Sequence, residues 1–180
     1  MPTKEAASGF VLILAGLARE SGLGQPVQPR SSYWLLDRHT VMAALAAAPI
    51  LAGLWWFDIV SRMTPPDGWR AWVTFILIAP FAEELVFRGV IQGQIAGLLN
   101  EFIHSTRATF VSKANILTTG LFVVAHLSAQ PVLWALAVAA PSLVLGHLRE
   151  RFDSIWPAIL IHALYNLGFG LLAFSVLPDQ

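Results

Sequence analysis

The sequence has no cysteine and little charge, and each shortage excludes a class of protein. Without cysteine there are no disulfides, thiolate metal sites or cysteine nucleophiles. Only 12% of the 180 residues are charged and 56% are hydrophobic, so polar side chains are too few to cover a water-facing surface. Eleven basic residues balance eleven acidic ones, so the chain lacks the net positive charge that is typical of nucleic-acid-binding proteins. The composition indicates a membrane protein, and any catalysis must use carboxylates, histidines or hydroxyls.

Long apolar runs divide the chain into candidate spans, since a helix needs about 20 apolar residues to cross a bilayer. Five segments qualify, at residues 40–60, 69–99, 114–127, 131–147 and 155–177. A shorter run, Phe10 to Ala18, is predicted to be a partial or interfacial helix, with a signal peptide as the alternative. The predicted fold is all-α, a polytopic membrane helix bundle of about five to six transmembrane helices. Residues 1–39 form its amino-terminal helix and linker, and residues 40–177 form the integral membrane domain.

Polar stretches between the spans are predicted to be turns and loops. We expect a turn at residues 65–68, which read Pro-Pro-Asp-Gly, and a polar loop at residues 100–113. A short charged loop is expected at residues 149–153, and three histidines at span ends or in a loop are expected to be solvated: His39, His104 and His147. Most Lys and Arg residues fall on the side of the amino-terminal region and the two later loops. That side is therefore predicted to be cytoplasmic, with the carboxyl terminus outside.

Charged side chains interrupt the apolar segment 69–99 near its middle. A charge at the bilayer centre costs at least a few kcal/mol and normally has a partner or a task. Glu84 and Arg88 are four residues apart with the acid first, so they can neutralise each other on one helix face, and this pair can be purely structural. Glu83 has no local partner, which makes it the candidate general base. Pro80 lacks an amide hydrogen, so a kink is expected in the helix beside these acids.

Two histidines and an asparagine lie in the later spans. His126 belongs to segment 114–127, while His162 and Asn166 are four residues apart on one face of the last segment. With a rise of about 1.5 Å per residue, these side chains and Glu83 lie at overlapping depths and can line one cavity. A single buried histidine is more often a link between helices. Glu83 and these three side chains come from three different spans, and four such polar groups are more than helix packing requires.

Three motifs in a fixed order carry a resemblance to a known family. Residues 83–89 fit EExxxRG, residues 122–126 fit FxxxH and residues 162–166 fit HxxxN. This ordered set, on separate hydrophobic segments, resembles the CPBP family of glutamate-type intramembrane proteases, which includes CAAX-prenyl endopeptidases and bacteriocin-processing or immunity proteins. The resemblance covers roughly residues 75–169. It implies that Glu83 and His126 activate a water, that His162 and Asn166 hold the oxyanion, and that Glu84 and Arg88 complete the site.

The predicted function is therefore an intramembrane endopeptidase that hydrolyses a peptide bond of a membrane-associated peptide or protein without a cofactor. The resemblance places it in a bacterial or archaeal cytoplasmic membrane, with the lipid bilayer as its other partner. Three alternatives remain open. One is a zinc-dependent protease with His126, His162 and Glu83 as ligands. The second is a non-catalytic membrane binding or immunity protein on the same scaffold, and the third is a transporter with Glu83 as proton carrier, although the chain lacks a repeated half. The substrate class and the oligomeric state are left open.

Overall fold

A computed structural model describes residues 34–57, 64–99 and 111–175 of the chain. Five helical elements occur in these ranges, and no strand does. Helix α1 is Arg38–Trp56, α3 is Lys113–Leu127, α4 is Val132–Phe152 and α5 is Trp156–Ser175. Helix α2 is built from the consecutive segments Gly68–Val73, Thr74–Ile78, Ala79–Glu84, Leu85–Ile91 and Gln92–Leu98. The all-α bundle is confirmed, while the prediction for Phe10 to Ala18 lies outside the described residues.

Three of these helices, α1, α4 and α5, are long and apolar enough to cross a membrane. Helix α3 is apolar but has only 15 residues. Helix α2 has the length to cross, but it carries Glu83, Glu84 and Arg88 in its middle. Before α2, where a turn is predicted, residues 64–67 are not helical and Gly68 has a φ of 72°.

The bundle places apolar side chains outside and polar ones inside. Leu36, Trp56 and Leu133 are 85%, 78% and 80% exposed, whereas Glu84 and Arg88 are completely buried. A water-soluble domain shows the opposite arrangement, because large exposed apolar surfaces are unfavourable in water. In a bilayer the apolar surface contacts lipid tails, and polar groups face the interior of the protein.

Helices α1, α4 and α5 pack around a small apolar core, and small residues bring the helices close together. The buried members of this core are Ala43, Leu145, Leu148, Ala158, Ile161 and Tyr165. The Tyr165 hydroxyl donates to the Ala43 carbonyl oxygen at 2.8 Å, which ties α5 to α1. Helix α4 approaches α3 at Gly146, where a Cβ would lie 2.0 Å from Oδ1 of Asn115.

The prediction of a charged loop at residues 149–153 was wrong for most of its length. Helix α4 continues through these residues to Phe152, and Asp153, with a φ of 49°, ends it. Arg149 contacts Asp153 at 2.8 Å one helical turn away, and Arg151 contacts Asp37 at 2.7 Å before α1. The charges extend the helix because they pair along it and with its neighbour.

The same end of the bundle also corrects the prediction for the histidines. His147 is buried, and its Nε2 lies 2.9 Å from Nδ1 of His39. These two side chains join α4 to α1 instead of facing solvent separately. His104 lies outside the described residues.

Helix α2 widens on both sides of its acidic residues. The segments Thr74–Ile78 and Leu85–Ile91 have the π-helical hydrogen-bond pattern, in which an amide donates to the carbonyl five residues earlier. The amide of Ala79, for example, donates to the carbonyl of Thr74. The sequence predicts a kink at Pro80, and the structure has wide turns on both sides of this residue within a continuous run of helical segments. Such turns are common at functional sites.

Candidate active site

An ion pair lies at the centre of α2. Arg88 Nε is 3.2 Å from Glu84 Oε2, and both side chains have no solvent exposure. The wide turn over Leu85–Ile91 still allows the two side chains, four residues apart, to meet. This confirms the pairing predicted from the sequence spacing. A buried pair of this kind lowers the cost of placing either charge inside a membrane bundle.

A second contact of Glu84 connects α2 to α5. Its other oxygen, Oε1, lies 2.9 Å from Nδ1 of His162. A carboxylate only accepts hydrogen bonds, so Nδ1 of the histidine carries the hydrogen in this contact. The opposite ring nitrogen, Nε2, then faces Glu83, whose Oε2 is 3.8 Å away. Glu84 therefore fixes the orientation of the His162 ring relative to Glu83.

Glu83 differs from its neighbour in its accessibility. Its side chain is 33% exposed, while that of Glu84 is not exposed at all. Glu83 also interacts electrostatically with both His162 and His126. Of the two adjacent carboxylates, one is locked into a buried network and the other can be reached by a water or a substrate.

The ring of His126 is oriented by its own helix. Its Nδ1 lies 2.9 Å from the carbonyl oxygen of Phe122, one turn earlier. A carbonyl only accepts, so Nδ1 donates the hydrogen. In the neutral ring this leaves Nε2 as an unprotonated acceptor, which is the form that a general base requires.

Phe122 is the apolar centre of the site. Its ring centroid is 4.3 Å from that of His126 and 6.3 Å from that of His162. The guanidinium carbon of Arg88 lies 5.4 Å from the centroid of the same ring, and Phe87 packs edge-on against it. The first residue of the FxxxH motif thus separates the two histidines and covers the arginine. Sequence reasoning gave it no role.

Asn166 lies one turn further along α5, and its amide is already engaged. Nδ2 donates to the carbonyl oxygen of Phe75 at 2.8 Å. In the π-helical pattern that carbonyl would receive the amide of residue 80, but Pro80 has no amide hydrogen. Asn166 therefore supplies the missing donor. Among the described residues, the hydrogen bond of the Asn166 amide is made to Phe75 and not to His162 or Glu83.

Two hydroxyls in the site were missed by sequence reasoning. Arg88 Nη2 donates to the carbonyl oxygen of Ser142 at 3.1 Å and to its Oγ at 2.8 Å. Ser142 Oγ in turn donates to Thr119 Oγ1 at 2.9 Å. Serine and threonine are ordinary residues in apolar spans, so the sequence alone gave no signal that these two lie beside Arg88.

Further buried polar contacts lead from Arg88 to the charged end of the bundle, which carries Asp37, Arg149 and Arg151. Nε2 of Gln92, on α2, donates to the Gly146 carbonyl at 3.1 Å and to Glu150 Oε1 at 2.7 Å. Ser112, which caps α3, also donates to Glu150. Glu150 had been predicted in a loop, but it is buried and joins α2, α3 and α4.

The described residues contain no group of three or more histidine, cysteine, aspartate or glutamate side chains arranged to hold a metal ion. A groove of about 530 Å³ lies elsewhere, between the start of α2 and the end of α5. Arg70, Phe75, Phe169 and Ala173 are among its lining residues. It approaches the site at Phe75, the residue bonded to Asn166.

The fold and its polar interior define the chain as an integral membrane protein. A family model described as type II CAAX prenyl endopeptidase Rce1-like matches residues 65–168. The chain belongs to this family of CAAX-type membrane proteases. The match includes every site residue predicted from the sequence. Neither the curated proteins nor the solved structures compared with the chain gave a match.

Proposed function

We propose that the chain is a glutamate-type intramembrane endopeptidase. The observation that carries the proposal is the division between two adjacent carboxylates. Glu84 is buried and held by Arg88 and His162, while Glu83 is partly exposed beside His162. Peptide hydrolysis needs one reachable base and a fixed environment around it.

In the proposed reaction, Glu83 and His126 activate a water. Glu83 accepts one proton while the water oxygen bonds to the carbonyl carbon, and the carbonyl oxygen becomes an oxyanion. The C–N bond then breaks, and the proton held by Glu83 passes to the leaving nitrogen. The water thus supplies a hydroxyl to the new carboxyl terminus and a proton to the new amine.

His162 and Asn166 are proposed to hold the oxyanion. Because Nδ1 of His162 donates to Glu84, the histidine can donate to the oxyanion only through Nε2, and only when the ring is doubly protonated. Asn166 has two amide hydrogens, and Phe75 uses one of them, so the other is available to the oxyanion. Donors positioned in advance stabilise the transition state most when water is excluded.

The proposed substrate is a peptide held at the membrane. The name of the matched family makes a prenylated carboxy-terminal CAAX peptide the first substrate to test, and a membrane-anchored peptide without a prenyl group is the alternative. The catalytic domain proposed for residues 40–177 sits in the cytoplasmic membrane with its carboxyl terminus outside. No cofactor is required by these steps.

The experiment compares the wild-type chain with Glu83→Gln in detergent or nanodiscs. A fluorogenic farnesylated CAAX peptide and a lipid-anchored peptide of the same sequence serve as substrates. We expect the wild type to cleave at least one of them and Glu83→Gln to lose all measurable cleavage. Glutamine preserves the size of the side chain but cannot accept the proton from water.

Folding and metal dependence are controlled in the same preparations. Glu83→Gln should keep the wild-type melting temperature, because its side chain is partly exposed. Treatment with a chelator should leave cleavage unchanged. Retained cleavage by Glu83→Gln contradicts the proposal, and so does a chelator-sensitive activity restored by zinc with stoichiometric bound metal.

A further inference from the structure

The guanidinium of Arg88 is held at one position outside its own helix. Both hydrogen bonds that it makes within the described part of the chain come from Nη2 and go to Ser142. Its Nη1 is buried and forms no hydrogen bond to any described residue. Removal of the serine hydroxyl therefore leaves Nη2 with only the carbonyl oxygen of Ser142 as a hydrogen-bond partner among the described residues, and Nη1 with none.

The direction of each hydrogen bond around Ser142 follows from the chemistry of arginine. A guanidinium has donors and no acceptor, so Ser142 Oγ must accept from Arg88. The hydroxyl hydrogen must then point elsewhere, and Thr119 Oγ1 lies 2.9 Å away. The threonine hydroxyl donates in turn toward Asn115 Oδ1 at 3.4 Å. Thr119 thereby turns the serine oxygen toward Arg88.

The other side of Arg88 leads into the site. Its Nε is 3.2 Å from Glu84 Oε2, and Glu84 Oε1 is 2.9 Å from His162 Nδ1. A rotation of the guanidinium is expected to move the carboxylate with it, because the two groups are in contact and both are fully buried. The ring of His162 then changes its distance and angle to Glu83.

We propose that Ser142, oriented by Thr119, is a positioning residue that acts through Arg88 and Glu84 on His162. It touches no substrate, and its effect on catalysis rests on the function proposed above. Small displacements of reacting groups have large effects on rate, because the catalytic geometry is narrow. The serine hydroxyl should therefore influence the catalytic rate more than it influences substrate binding or overall stability.

The kinetic test uses Ser142→Ala in the full chain, with Thr118→Val as the matched control. Thr118 is equally buried on α3, but its hydroxyl makes no hydrogen bond within the described residues. We expect Ser142→Ala to lower kcat by about tenfold with KM changed less than about twofold. Thr118→Val should retain the wild-type kcat, and the two variants should melt at similar temperatures.

A second pair of variants separates the hydroxyl from the packing. Thr119→Val keeps the shape of the side chain and removes the hydroxyl, whereas Thr119→Ser keeps the hydroxyl and removes a methyl group. We expect a loss of kcat in Thr119→Val and a near-normal kcat in Thr119→Ser. The reverse order indicates a packing role and overturns the proposal.

A spectroscopic test does not depend on turnover. In protein labelled with nitrogen-15 in histidine, the Nδ1 signal of His162 can be assigned by its loss in His162→Asn. We expect this signal to shift and broaden in Ser142→Ala and to stay unchanged in Thr118→Val. An unchanged His162 signal in Ser142→Ala overturns the positioning role, even if the peptides tested are not substrates. Cleavage that survives Glu83→Gln contradicts the proposed function instead.

Discussion

The ion pair of Glu84 with Arg88 and that of Asp37 with Arg151 lie in very different surroundings. Glu84 and Arg88 are fully buried inside the bundle, whereas Asp37 and Arg151 are 20% and 32% exposed at its charged end. At the exposed end, water can replace either partner if the other is lost. Inside the bundle it cannot, and further contacts from His162 and Ser142 hold the pair. The interior pair is therefore costly to break and fixed in geometry. His162 of the candidate site contacts this pair directly through Glu84.

The largest expected effect is on stability when the interior pair is broken. Glu84→Gln leaves the charge of Arg88 buried without its counter-ion, which should cost about 3–5 kcal/mol of unfolding free energy. Glu83→Gln, at the adjacent position, should cost less than about 1 kcal/mol because its side chain reaches solvent. Unfolding of both variants in the same detergent measures the difference. Equal losses contradict the division between the two carboxylates.

Asn166 tests whether an interior polar group acts on rate, on stability or on both. Asn166→Ala should lower kcat by roughly 10²–10³ with little change in KM, because the amide acts on charge that develops in the transition state. Asn166→Asp should be at least as harmful, since a carboxylate repels that charge. Kinetics and melting temperatures of both variants provide the measurement.

The bond from Asn166 to Phe75 offers a control for this variant. Pro80→Ala supplies a backbone amide near the Phe75 carbonyl, so it should remove the structural need for Asn166. In the Pro80→Ala background, Asn166→Ala should cause little further loss of stability but should still lower kcat. If Asn166→Ala is active but destabilised, Asn166 only links helices and does not hold the oxyanion.

Close packing of the polar interior is tested by Gly146→Ala. The added Cβ would lie 2.0 Å from Oδ1 and 2.4 Å from Cγ of Asn115. Asn115 is fully buried and donates to the Leu143 carbonyl, so it cannot easily move aside. We expect a loss of about 1–3 kcal/mol in unfolding free energy.

The matched control is Gly120→Ala on α3, where nothing lies within 4 Å of the added Cβ. Alanine favours a helix over glycine by up to about 1 kcal/mol, so this variant should melt at or above the wild-type temperature. If both glycine variants change the melting temperature equally, the interior is not close-packed around Asn115.

The sequence was sufficient to predict the helical bundle and the contact between Glu84 and Arg88. Hydropathy marked the spans, since lipid requires long apolar runs. The spacing of Glu84 and Arg88 predicted their contact because that contact is local, one turn along a helix. Glu83 could be separated from the pair by the same geometry.

The remaining parts depended on contacts that are distant in the sequence. Ser142 lies 54 residues after Arg88, and nothing in a hydropathy pattern connects them. The charged stretch after His147 was predicted to be a loop because charges usually end a span. Its charges instead pair with Asp153 and with Asp37, and the latter contact joins residues 114 positions apart. Partners of this kind become visible only when the helices are assembled.

The smallest expected effect belongs to the exposed pair. Arg151 donates to Asp37 through Nε at 3.0 Å and through Nη2 at 2.7 Å. Arg151→Gln should lower the unfolding free energy by only about 0.2–1 kcal/mol, and added salt should reduce the difference further. Arg38→Gln is the control, because it removes the same charge nearby from an exposed side chain that forms no ion pair within the described residues.

The pH dependence of this pair has a definite sign. The hydrogen bond from Arg151 lowers the pKa of Asp37 below its ordinary value, although burial acts in the opposite direction. A carboxyl whose pKa is lower in the folded state stabilises the fold above the unfolded pKa, and this contribution is lost as the pH falls through the folded value. The difference between wild type and Arg151→Gln should therefore be constant from pH 7 to about pH 5 and should shrink below about pH 4. A difference that grows on acidification would contradict the lowered pKa of Asp37. A difference as large as that of Glu84→Gln would mean that the Asp37–Arg151 pair is as protected from water as the interior pair.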